Sequence, residues 1–157
     1  MPETLARQGR YFEEFEVGDA VASAGRTITE ADVVNFAGVA GDFTQIHVNA
    51  EFARQGAFGR RVAHGLLGLS VASGLLAQLG LVEGTVLAFR ELMWKFSLPV
   101  FLGDTLHVRA TVAELRPVRR LGGGAVTFDV RVLNQEERVV QQGRWVLLVA
   151  GEPGGEP

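Results

Sequence analysis

The stretch GLLGLSVASGLLAQLG, residues 65–80, restricts the fold more than any other part of the chain. Spaced on a helical period, Leu66, Leu67, Leu69, Val71, Leu75, Leu76 and Leu79 point in every direction. A helix that is apolar all round has to be surrounded rather than laid on a surface. The uncharged run that contains it, His64 to Val82, is broken by glycines, serines and a glutamine. A bilayer span needs ~20 predominantly apolar residues, so the pattern predicts a buried helix instead.

What surrounds it follows in the chain. Four strand-like runs occupy approximately 86–96, 104–114, 125–133 and 138–149. In the second, Leu106, Val108, Ala110 and Val112 point one way and His107, Arg109 and Thr111 the other. The third repeats this with Val126, Phe128, Val130 and Val132 against Thr127, Asp129 and Arg131. LPVFLGD, RPVRRLGGG and NQEE have the composition of turns and hairpin loops, and RLGGGA reads as a flexible hairpin. Earlier, DAVASAGRTI predicts a first strand. TEADVVNFAGVAG predicts a helix with Thr29 as N-cap, Gly41 just past its end, and Val33, Phe36, Ala37 and Ala40 as its apolar stripe. NAEFARQ predicts a short helix. One helix that wants burial everywhere, followed by a meander of antiparallel strands, packs economically as an α+β roll: an antiparallel β-sheet wrapped around a long central α-helix. The runs at 86–96 and 138–149 lack a clean polar side, which points to a dimer packed through sheet or edge.

At 157 residues the chain is expected to form a single domain spanning 1–157, with 1–10 and 151–157 loose. A net charge of −3 gives no electrostatic reason to expect nucleic acid or an anionic membrane surface as partner. The chain has no cysteine, which removes disulfides, thiol nucleophiles and thiolate metal sites. MPETLARQGRYFEEFEVGD lacks the basic-then-apolar layout of a secretory signal, so a cytoplasmic location is expected.

Against this apolar background AGDFTQIHVNAEFARQG, residues 40–56, places Asp42 and His47 in one short polar segment beside Gly41. A carboxylate and an imidazole converging on one small volume can hold a water, take its proton and deliver a proton elsewhere. Singly, Asp42 also reads as a turn aspartate and His47 as a half-buried histidine bonded to backbone. The segment precedes a helix that opens at Gly65, whose unsatisfied N–H groups and positive dipole end face the space before it. With no side chain, Gly65 lets a ligand oxygen approach that backbone, as an oxyanion hole requires, or it merely relieves crowding there. His64 adjoins the same helix start, as a ligand contact or as a positioned core histidine. Ser73 lies farther along the helix, and its hydroxyl needs either a carbonyl one turn back or a polar group of the site. Asp42, His47 and His64 match no standard metal-ligand spacing, so no metal is expected. Arg60 and Arg61 can meet a phosphate or solvate a loop, the second being the commoner role. His107 reads as exposed.

GDFTQIH and AHGLLGLSVAS together resemble the signature of the MaoC-like, single-hotdog (R)-specific enoyl-CoA hydratases. That signature is approximately Gly-Asp-X-Asn-Pro-aliphatic-His, followed by Ala-His-Gly opening the central helix. The likeness extends from RTITEADVVNFAG through MWKFSLPVFLGDTL to VLNQEERVVQQG, nearly the whole domain. The fold alone is less specific, because thioesterases share it. The resemblance implies a hotdog homodimer that hydrates trans-2-enoyl thioesters of CoA or acyl carrier protein to (R)-3-hydroxyacyl thioesters, reversibly and with no cofactor. It makes Asp42 and His47 the acid/base pair on the attacking water, and the Gly65 N–H the donor to the thioester oxygen. It makes Ser73 the serine that positions the aspartate. Thr44 and Gln45 depart from the usual Asn-Pro. A thioesterase on the same scaffold, or a diverged acyl-thioester-binding dimer, are the alternatives.

Overall fold

The computed structural model describes residues 9–154. After a single 3-10 turn at Phe12–Glu14, two short strands, β1 (Ala20–Ala22) and β2 (Arg26–Thr27), stand where one was expected. Both pair with β4 (Thr105–Val118), but between them the Ser23 hydroxyl, rather than a carbonyl, accepts the Val108 N–H at 2.9 Å. The ladder therefore breaks at Ser23 and resumes at Arg26.

Helix α1 (Glu30–Ala40) begins as its sequence requires. Thr29 Oγ1 accepts the Asp32 N–H at 3.2 Å, and the Asp32 carboxylate accepts the Thr29 N–H at 2.9 Å, closing a reciprocal cap. Gly41 ends the helix at φ 73°, a left-handed conformation that costs glycine little. Val33 and Ala37 are buried and Phe36 half-buried, while Ala40, expected on the same stripe, is exposed in the last turn. Two short helices follow, α2 (Gln45–Val48) and α3 (Ala50–Arg54), of which only the second was expected.

The long helix α4 (Gly65–Ala77) leads into β3 (Val86–Phe96), β4, β5 (Gly123–Leu133) and β6 (Val139–Ala150). The sheet order is β1–β4–β5–β6–β3, antiparallel throughout, with β2 also on β4. Leu67, Val71, Ala72 and Leu75 of α4 join Leu106, Val108, Val126, Val130, Val132, Val140, Trp145 and Val149 of the sheet in one core. This is the expected roll, with one difference. A single chain covers only one side of α4: Leu66 is 58% exposed, and Ser70, Ser73 and Ala77 share its uncovered stripe. The sheet curves around the helix from one side, and no element among the described residues covers the other.

The hairpin between β4 and β5 is tighter than its composition suggests. Arg116, Pro117 and Val118 continue β4, Arg119–Leu121 make one 3-10 turn, and Gly122 turns the chain at φ 58°. Gly123 and Gly124 are ordinary members of β5 rather than a flexible loop. A methyl group on Gly123 would lie 2.2 Å from the Val149 carbonyl oxygen, which is backbone and cannot step aside. Residues 1–8 and 155–157, the outer parts of the segments expected to be loose, lie outside the described residues. Gly9 and Arg10 donate to the Glu83 and Leu81 carbonyls at 3.0 and 2.8 Å.

Gly123→Ala should therefore lower the unfolding free energy by ~1–3 kcal/mol, the usual cost of overpacking. Chemical denaturation followed by circular dichroism measures it.

Candidate active site

Asp42 leaves α1 at its left-handed end, and α2 brings His47 back toward it. Gln45 is the first residue of that short helix, so its N–H has no intrahelical partner to lose and a proline is not required there. Gln45 Oε1 instead accepts the Asn49 Nδ2 amide at 2.9 Å, and Asn49 Oδ1 caps α3 by accepting the Phe52 N–H at 3.0 Å.

The two imidazoles are held by backbone carbonyls. His47, 8% exposed, donates Nδ1–H to the Val62 carbonyl at 2.7 Å. A carbonyl only accepts, so the neutral ring carries its proton on Nδ1 and leaves the Nε2 lone pair free. That nitrogen lies 3.9 Å from Asp42 Oδ2. This is too long for a direct hydrogen bond, yet one water placed about 2.8 Å from each can donate to both. His64, 3% exposed, donates Nε2–H to the Asp42 carbonyl at 2.9 Å, and its buried Nδ1 has no protein partner. The two rings stack with centroids 3.8 Å apart and planes at 26°, and Phe36 packs on His64 at 5.0 Å.

Asp42 itself is half-exposed. Thr44 occupies one of its oxygens, donating Oγ1–H at 2.5 Å and N–H at 3.1 Å to Oδ1, which leaves Oδ2 facing His47. The Thr44 hydroxyl and then its N–H hold the Asp42 carboxyl below the usual carboxylate range, against an opposing effect of burial that is larger than the help from either nearby imidazole. It is thus a carboxylate near neutral pH. Asp42, His47 and His64 each bring a possible metal ligand within 4.8 Å of the others. The stacked rings, however, project their in-plane lone pairs along nearly parallel planes, a poor match to a tetrahedral ion.

Gly65 opens α4 beside a cavity of about 410 Å³ that His47, Ile46, Phe96, Leu98, Pro99 and Gln141 also line. The cavity reaches the first turn of α4, and the Phe96 ring packs against Gly65 in the space a side chain would take, 2.8 Å from where a methyl group would stand. A cavity of about 550 Å³ between Met93, Asp129 and Arg144 lies on β3, β5 and β6, and no residue of the histidine pair lines it.

Of the residues singled out in sequence, Asp42, His47, His64 and Gly65 come together. Ser73 does not join them by any hydrogen bond: its hydroxyl donates to the Ser70 carbonyl at 2.8 Å, and it lines an apolar cavity of about 180 Å³ with Leu76, Phe89 and Trp145. Arg61 pairs with Glu30, while the Arg60 guanidinium lies 3.8 Å above the Phe101 ring. His107 is more enclosed than expected, with Nε2 3.3 Å from Glu137 Oε1. Sequence reasoning missed two contributors, Thr44 and Gln141. Gln141 carried a signal, an amide at the inward parity of β6 shared with Trp145 and Val149.

The MaoC like domain model matches residues 14–134. The chain belongs to the MaoC-like family. It is 40% identical over 102 residues to protein MaoC of Klebsiella aerogenes, covering 65% of this chain but only 30% of that protein's length. It is 38% identical over 120 residues to the 3-hydroxybutyryl-CoA dehydratase of Methylorubrum extorquens, with 76% and 74% of the two chains covered. Among solved structures, the unliganded R-hydratase PhaJ1 from Pseudomonas aeruginosa superposes with a TM-score of 0.77 at 31% identity, over 90% of this chain and 86% of that one. A Mycobacterium tuberculosis protein with a double hotdog fold matches with a TM-score of 0.79 at 20% identity, covering 96% of this chain and 47% of that one. The roll of this MaoC-like chain is a hotdog.

Removing a donor to the charged form disfavours that form, so Thr44→Val should raise the Asp42 pKa toward the ordinary carboxylate range, and Thr44→Ser should restore it. Titration of the Asp42 carboxyl carbon by NMR reads the direction.

Proposed function

We propose that the chain is a hydratase/dehydratase that interconverts trans-2-enoyl-CoA and (R)-3-hydroxyacyl-CoA. The observation that carries this reading is the pairing of a free imidazole Nε2 with a free carboxylate oxygen 3.9 Å away, beside the cavity that His47 shares with the start of α4. C3 of an enoyl thioester is electrophilic, but water attacks it poorly unless a base takes its proton. In this arrangement the water donates one O–H to Asp42 and the other to His47. As its oxygen bonds to C3, the proton passes to His47 Nε2 and negative charge gathers on the thioester oxygen. N–H groups of the first turn of α4, that of Gly65 first, face that charge without having to reorganise. The proton then returns to C2 from the same pair. Elimination of water runs through the same steps in reverse. The match to the 3-hydroxybutyryl-CoA dehydratase and to the R-hydratase supports this class of reaction.

The working unit in this reading is a homodimer. β3 is an edge strand whose Val86, Leu87, Phe89, Leu92, Met93 and Phe96 are exposed, and α4 has one bare side. A second copy of the chain would cover both. No described helix is long and apolar enough to cross a membrane, which accords with a cytoplasmic enzyme.

With crotonyl-CoA, the absorbance of the conjugated thioester should fall without release of free thiol. Thiol release would instead identify a thioesterase. Asp42→Asn should reduce kcat/KM about 10²–10⁴-fold, the range for loss of a positioned acid/base group, with unfolding little changed. Undiminished turnover would remove Asp42 from the mechanism. Sedimentation equilibrium should find a dimer.

A further inference from the structure

Gln141 is 2% exposed, and both ends of its amide are held. Nε2 donates to the Gly65 carbonyl at 3.0 Å, and Oε1 accepts the Trp94 indole N–H at 3.0 Å. An indole nitrogen only donates and a carbonyl only accepts, so the orientation of this amide has one solution. Gly68 makes the room: a methyl group there would lie 2.4 Å from Gln141 Nε2. A core strand and a glycine on the helix are thus both committed to placing one amide against the first carbonyl of α4. Gln141 also lines the cavity shared by His47 and Gly65.

The Gly65 carbonyl belongs to the same peptide unit as the Leu66 N–H. In the first turn of a helix that N–H has no intrahelical acceptor and points back into the space before the helix. A donor on the carbonyl fixes the plane of the peptide and polarises it, which strengthens the N–H at its other end. We infer that Gln141, clamped by Trp94, is a positioning residue that orients and polarises the first-turn N–H donors of α4 toward the thioester oxygen of the substrate. The inference rests on the hydratase reading, in which that oxygen gathers negative charge. It adds Leu66 N–H to Gly65 N–H as a donor and gives Gln141, Trp94 and Gly68 a common task.

Gln141→Leu should lower kcat for crotonyl-CoA hydration roughly tenfold, less than the ~10²–10³ lost with an oxyanion donor outright, and leave KM nearly unchanged. Gln141→Glu separates this role from simple packing. A carboxyl can donate to the Gly65 carbonyl only while protonated, so this variant should retain activity at low pH and lose it through a new ionisation as pH rises. A packing role would create no such limb. The carbonyl stretch of bound butyryl-CoA, which cannot be hydrated, reads the donors without turnover: its downshift should shrink in Gln141→Leu. An unchanged stretch together with unchanged kcat would overturn the inference. If the parent protein leaves crotonyl-CoA intact, the hydratase reading fails on its own, and the butyryl-CoA stretch still decides the role of Gln141.

Discussion

The 2.7 Å hydrogen bond from His47 to the Val62 carbonyl ties the chemistry to the architecture. Val62 is not a free loop residue. Its N–H donates to the Ile46 carbonyl at 3.1 Å, it forms an isolated bridge with Phe101, and the next N–H, of Ala63, donates to the Val100 carbonyl at 2.7 Å. The strap that orients the imidazole is therefore the strap that delivers the chain into α4. The base and the helix mouth are two ends of a few residues of hydrogen-bonded backbone, so their relative position does not depend on long side chains. His64 closes the figure by donating to the Asp42 carbonyl, which fixes the other end of the polar segment to the same strap.

This explains why the departure at Thr44 and Gln45 leaves the pair facing each other. The burden of placing His47 falls on Val62, and that of placing Asp42 on its own carbonyl and on Thr44. A hydroxyl and an N–H from Thr44 on one carboxylate oxygen do what a neighbouring side-chain amide could do. Gln45 stands where a proline is tolerated but not needed, with Asn49 as its side-chain partner.

Much of this was legible in the sequence, for definite reasons. The alternation of β4 and β5 follows from one face of the sheet meeting α4, and the cap and glycine stop of α1 are local features that local chemistry decides. Asp42, His47, His64 and Gly65 could be grouped because they flank one helix start. Three things lay beyond such reasoning. The break between β1 and β2 depends on a serine hydroxyl taking a backbone donor from a strand 85 residues away. The glycines after Gly122 looked like a loop because their reason, the crowding of β5 against β6, exists only across the sheet. For Ser73 two partners stayed open, a carbonyl one turn back or a polar group of the site; its hydroxyl takes the Ser70 carbonyl, a choice that spacing along α4 cannot rank.

The edge strand β3 has a consequence for solution behaviour. An apolar, unpaired edge invites any passing strand and, if contacts repeat head to tail, leads to open-ended fibres. In its pairing with β6, β3 shifts register twice, between Val86 and Ala88 and between Phe89 and Glu91. These irregularities bend the ribbon and spoil its fit to a generic strand. In the homodimer proposed above, a second copy carrying the same bends in reverse order would match it across a two-fold axis and use up the edge. The two breaks would then act as a key that favours self-recognition over aggregation, and the folded state should grow more robust as the chain becomes more concentrated.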